Sequence, residues 1–128
     1  MINDLNVKFM RILIVDDLDI SRLIIKNILN ELGFQNTIEV SNGFSALASL
    51  KSKIINCVIT NWEMSEMSGL ELLTQIKADQ LLKNIPVLFA MEFAIAEIIV
   101  SASKAGASGF LIKPFTKGVI SEKLNEIL

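Results

Sequence analysis

Residues 54–69 read IINCVITNWEMSEMSG, and the reading of this stretch decides the fold. It opens on an apolar run of Ile54, Ile55, Cys57, Val58 and Ile59, interrupted by Asn56, and turns polar at Thr60, Asn61, Trp62 and Glu63. A short apolar run bounded by polar residues fits a strand covered on both faces, as in parallel sheets. In such sheets ligands sit just beyond the carboxyl ends of the strands. The residue that decides what the chain does is therefore expected near position 61, where the sequence has an asparagine.

Working outward, Phe9–Val15 (FMRILIV) and Thr37–Val40 read as strands on the N-terminal side. Between them, Ile20, Leu23, Ile24, Ile28, Leu29 and Leu32 recur at helical spacing, with Asp19 as expected N-cap and Gly33 as C-terminal stop. Phe44–Leu50 is a short expected helix with Phe44, Ala46, Leu47 and Leu50 inward. On the C-terminal side, Gly69–Ile76 is an amphipathic helix and Ile85–Ala90 a strand whose proline comes early, where a strand tolerates it. Ala94–Ala105 is helical by pattern, ending at Gly106; Gly109–Ile112 is a fifth strand. Thr116 caps a last helix with Val119, Ile120, Leu124, Ile127 and Leu128 inward. Strands alternating with helices imply an α/β three-layer sandwich, a (βα)5 parallel sheet with helices on both faces. The flavodoxin-like order 2-1-3-4-5 is expected, with strands 1 and 3 meeting at the switch point.

The chain has 128 residues, 52% of them hydrophobic and 20% charged, which suits one domain over residues 1–128 with a proper core. Its formal charge of -2 and pI near 5.1 give no basic surface for nucleic acid. No apolar run spans a bilayer, and the N-terminal segment does not read as a secretory signal, so a cytoplasmic monomer is expected. The single cysteine, Cys57, lies in the apolar run and reads as a small buried hydrophobe. Histidine is absent, which removes histidine bases, nucleophiles and metal ligands from this chain.

With this strand order, Asp16, Asp17, Asn61 and Lys113 each follow a strand and meet at one edge. Paired carboxylates offer hard oxygen ligands to Mg2+, and an ammonium beside them meets an anion. The segments IVDD at Ile14–Asp17, NWEMSEMSGLELL after the third strand, and GASGFLIKPF at Gly106–Phe115 resemble a response-regulator receiver domain of the CheY-like, chemotaxis type. The resemblance covers nearly the whole chain and implies a stand-alone receiver without an output domain, and no enzyme. In that family an aspartate after strand 3 accepts a phosphoryl group from a histidine kinase beside bound Mg2+, and the bond equivalent to Lys113–Pro114 is cis.

The resemblance also marks departures. The phosphoacceptor aspartate maps onto Asn61, and the hydroxyl residue after strand 4 onto Met91. The aromatic switch position maps onto Phe110, and the residue whose carbonyl ligates metal onto Glu63. A carboxamide is a far poorer nucleophile than a carboxylate, and a methionine has no donor for a phosphoryl oxygen. The implied Mg2+ site (Asp16, Asp17, Asn61 and Glu63) is therefore expected to be weak or lost. Two carboxylates ~5 Å apart repel by about 3 kcal/mol at an effective dielectric near 20, so an amide in their midst favours the metal-free fold. Thr60, Ser65 and Ser68 are poor substitute acceptors because no base accompanies them.

The expected function is that of an atypical receiver acting through a protein partner, such as a histidine kinase or flagellar motor switch protein. The expected partner face combines the helix after strand 4, strand 5 and the last helix, with Ala94, Ile98, Ile99, Ala102, Ser103, Phe110, Thr116 and Lys123. Two alternatives stand beside this reading. One is an ordinary Mg2+-dependent phosphoacceptor whose aspartate was mutated, against which Met91 departs as well. The other is a flavodoxin-type cofactor binder, disfavoured by Asp16-Asp17 where a phosphate cradle belongs.

Overall fold

The computed structural model describes residues 4–128. The strands are β1 (Arg11–Val15), β2 (Asn36–Val40), β3 (Cys57–Asn61), β4 (Val87–Met91) and β5 (Gly109–Ile112). The helices are α1 (Asp4–Phe9), α2 (Asp19–Glu31), α3 (Gly43–Ser52), α4 (Gly69–Ala78), α5 (Ala96–Lys104) and α6 (Lys117–Ile127). All strand pairs are parallel and the order is β2-β1-β3-β4-β5, as expected.

Alternation along the strands divides the interior in two. Leu13, Val15, Val58, Val87 and Phe89 point to one core, closed by Ala46, Leu50, Leu72, Leu73, Ile76 and Ala102 of α3, α4 and α5. Ile12, Ile14, Cys57, Ile59, Leu88 and Leu111 point to the other, closed by Ile25, Leu29, Ile120 and Leu124 of α2 and α6. A sheet covered on both faces has no polar side to its central strands, which is why β1, β3 and β4 read as continuous apolar runs.

Several expectations need correction. Phe9 and Met10 are not in the first strand; Phe9 ends α1, where it is 78% exposed while Val7 packs inward. Ile54 precedes β3 and is 81% exposed, and Ile85 precedes β4. In α2 the helical spacing is real, but Ile20, Leu23 and Ile24 face outward and Ile25 and Leu29 carry the packing. Leu18, not Asp19, is the N-cap residue of α2, and Asp19 instead pairs with Arg22. Phe44 and Val119 are exposed as well.

Other local signals hold. Thr116 accepts from the Val119 amide at 3.2 Å. Gly33 and Gly106 end α2 and α5 at φ values of +98° and +105°, where L side chains are strained. The Lys113–Pro114 bond is cis. No helix among the described residues is long and apolar enough to cross a membrane.

Cys57 is fully buried, and burial pushes its thiol from 9.0 up to about 12. Since the thiolate is the nucleophile, native protein at pH 8 is expected to leave a thiol reagent unconsumed. One equivalent should react once denaturant is added; release of one equivalent before unfolding would contradict the packing described. The same shift favours the fold below pH 9, and that contribution is lost as pH rises toward 12.

Candidate functional site

β1, β3 and β5 all run toward one edge, and the alternation that sets their core residues continues one step beyond. Val15 lies beside Thr60, so Asp16 and Asn61 follow as neighbours at the switch point. Lys113 comes directly after β5, with its own amide donating to the Met91 carbonyl at 2.8 Å. Its Nζ reaches back across the edge to Asp16 Oδ2 at 3.3 Å and Asn61 Oδ1 at 3.1 Å.

Asp16 is fully buried and uses both oxygens, Oδ2 for Lys113 and Oδ1 for the Leu18 amide at 3.0 Å. Arg22 donates to the Asp16 carbonyl at 2.5 Å and lies 3.7 Å from Glu39, holding the β1–α2 turn to β2. Nothing in the sequence marked Arg22 for this role, since a cation one turn into a helix is ordinary. Asp17 is exposed and faces a cleft of about 560 Å³ shared with Asn61, Trp62, Glu63, Met91 and Lys113.

The Asn61 amide nitrogen donates to the Glu63 backbone carbonyl at 2.7 Å. The Glu63 side chain is exposed, so it is the residue's carbonyl and not its charge that belongs to the site. Among the described residues no three His, Cys, Asp or Glu side chains converge as a metal cluster. The edge offers two carboxylates, Asp16 and Asp17, and the Glu63 carbonyl that the resemblance implied as a metal ligand already accepts from the Asn61 amide, so the residues present fit a divalent cation less well than a three-carboxylate edge would.

Met91 is 4% exposed, lines the cleft, and presents a thioether where a hydroxyl would donate. Phe110 stacks on Phe89 at 6.3 Å between centroids, and Phe89 meets Trp62 edge-on at 5.3 Å. An aromatic row therefore joins the loop after Asn61 to β5. Of the residues expected to be poor substitute acceptors, Thr60 is buried and donates to the Asn61 carbonyl at 3.2 Å, and Ser68 caps α4 by accepting from the Glu71 amide at 3.1 Å.

On the expected partner face, Ala94, Ser103 and Thr116 are exposed, and Ile98, Ile99, Phe110 and Lys123 are half-buried. Ala102 is a correction: it is fully buried in the core under α5 and cannot touch a partner. Ile95, Val100 and Ile112, at 46%, 51% and 38% exposure, supply apolar surface there instead.

A five-stranded 2-1-3-4-5 sheet with a buried carboxylate and a lysine across its switch point defines the class of two-layered-helix α/β receivers. Comparison with known proteins agrees. The family model for the response regulator receiver domain matches residues 12–125. Chemotaxis protein CheY-3 of Vibrio cholerae is 46% identical over 120 residues, covering 94% of this chain and 92% of that protein. Chemotaxis protein CheY of Pseudomonas aeruginosa is 44% identical, covering 92% and 95%. The solved structure of CheY4 of Vibrio cholerae superposes with a TM-score of 0.85 at 24% identity, covering 93% of this chain and 98% of that one. The chain belongs to the response regulator receiver family, a family of signalling modules in two-component and chemotaxis pathways that work with protein partners and typically bind Mg2+.

Gly69 sets how tightly α4 sits against this site. A Cβ there would lie 2.5 Å from the Asn61 carbonyl oxygen and 2.8 Å from the Phe89 ring, while its amide donates to the Trp62 carbonyl at 2.9 Å. Gly69→Ala must therefore move backbone and ring together, with an expected loss of about 1–3 kcal/mol. Urea denaturation measures it, and an unchanged midpoint would mean the contact relaxes freely.

Proposed function

We propose that this chain is a CheY-like receiver that works as a protein-interaction module in chemotaxis or related two-component signalling, without being phosphorylated at Asn61. The observation that carries this reading is the chemistry at the head of β3. The group there is a neutral carboxamide whose oxygen is held by Lys113 and whose nitrogen is held by the Glu63 carbonyl. Neither end is free to attack phosphorus, and an amide is a weak nucleophile even when free. Met91 supports the same reading, since its side chain, which lines the cleft at the end of β4, has no donor for a phosphoryl oxygen.

The test is incubation with a radiolabelled acyl phosphate and Mg2+, followed by acid- and base-stability analysis of any adduct. The expected result is no label on the chain; a stoichiometric adduct at any residue overturns the reading. The Asn61→Asp variant is the companion measurement, because its labelling would show that position 61 alone separates this chain from a phosphoacceptor.

Partner binding falls to α5, β5 and α6 in this reading, in the cytoplasm, with a histidine kinase or a motor switch protein as the candidate classes. The exposed Ile95, Val100 and Ile112 give that face apolar contact area without belonging to the core. Val100→Asp should weaken capture of such a partner by roughly tenfold or more while leaving the melting temperature within about 1 °C. Equal binding by both proteins would move the interface elsewhere.

A further inference from the structure

The Asn61 side chain makes two bonds of opposite polarity. Its oxygen accepts from the Lys113 ammonium at 3.1 Å and its nitrogen donates to the Glu63 carbonyl at 2.7 Å. This orientation is fixed by chemistry. Reversing the amide would set an NH2 against an ammonium and an oxygen against a carbonyl oxygen, two repulsive contacts in place of two bonds.

The oxygens of Asp16, Asn61 and the Glu63 carbonyl at the switch point accordingly each accept a hydrogen bond already. Asp16 Oδ2 accepts from Lys113 and Oδ1 from the Leu18 amide; the Glu63 carbonyl accepts from Asn61. A hard divalent cation needs several oxygens converging without competing donors, and Asp17 is the one further carboxylate of the β1 turn, exposed to solvent. The positive ends that such an acidic edge requires are present already, as an ammonium and a carboxamide N–H.

We infer that the Asn61 carboxamide takes the place of a divalent cation in this site: it bridges Lys113 to the Glu63 carbonyl, holds the β3–α4 loop closed, and makes the fold independent of Mg2+. The inference deepens the reading of a receiver that works without phosphoryl transfer. A carboxylate at position 61 has no hydrogen to give Glu63, so the same loop would present two oxygens to each other and call for a cation between them. The charge-bearing form needs the metal, and the amide form replaces it.

Trp62, the single tryptophan, adjoins Asn61 and packs on Phe89, so its emission reports on this loop. The experiment compares the wild-type chain with Asn61→Asp and Asn61→Ala, following Trp62 emission during Mg2+ titration, thermal melts in chelator and in excess Mg2+, and hydrogen exchange at the amides of residues 63–68. Wild type is expected to give a flat titration and the same melting temperature in both solutions. Asn61→Asp should show a saturable titration at least about tenfold tighter than any wild-type response, with a lower melting temperature in chelator that rises in Mg2+. Asn61→Ala should stay unresponsive to metal and exchange its loop amides about tenfold faster or more.

A saturable wild-type titration within about tenfold of the aspartate form overturns the inference, as does unchanged loop exchange in Asn61→Ala. Should Asn61→Asp fail to fold, the wild-type titration and the alanine exchange still decide it. Metal binding by wild type without acyl-phosphate labelling would defeat this inference alone. Labelling of a wild-type chain that ignores metal would defeat only the proposed function.

Discussion

The ammonium of Lys113 is the contact on which the rest of the site depends. It joins Asp16 after β1, Asn61 at the end of β3 and its own position after β5, three elements far apart in the chain. Asp16 is fully buried, and a buried carboxylate without a partner is costly enough that the fold would reorganise around it. Breaking a buried pair by removing one partner is worth about 3–5 kcal/mol in general, and the 17% exposure of the lysine side chain places this pair toward the lower end. The pair is thus a structural requirement of a sheet edge that turns polar at the switch point, whatever chemistry occurs there.

That requirement shapes what lies around it. With Lys113 committed to Asp16 and Asn61, the ammonium is less available to an incoming anion. The neighbouring wall is apolar: Met91 at the end of β4, then the row of Trp62, Phe89 and Phe110. Ring contacts of this kind run through Phe89, which is fully buried and clamped by the start of α4 at Gly69. Displacement of the loop after β3 must therefore either drag Phe89 or break its contact with Trp62. The path from position 61 to β5 is one of packing, and it passes beneath the α5–β5–α6 face.

Much of this was legible in the residues. Runs such as Cys57–Ile59 and Val87–Ala90 could only be central parallel strands, and the polar residues that stop the first strand and the third, and Lys113 after the fifth, had to share an edge once the strand order was set. Faces of helices were less legible. α2 carries apolar residues on both sides, so spacing showed a helix but not that Ile25 and Leu29 would win the core over Ile20, Leu23 and Ile24. Ala102 looked like surface because alanine fits either environment, and α1 is too short at 6 residues to show a period. At position 63 the resemblance pointed to the backbone carbonyl, an atom present in every residue, but only the structure shows that the Asn61 amide donates to it.

The same carbonyl explains why an amide at position 61 need not be a loss to the fold. In an acidic edge every anionic oxygen has to be met by a positive group, and a site can meet that demand with an ion from solution or with hydrogens of its own. The ion is exchangeable, so the loop it holds depends on its concentration; an amide hydrogen is covalently present and holds the loop constantly. Asn61 carries an acceptor and a donor on one short side chain and so reaches both Lys113 and a carbonyl two residues on. Geometry and polarity together fit asparagine to this acidic edge, where one side chain meets an ammonium and a carbonyl at once.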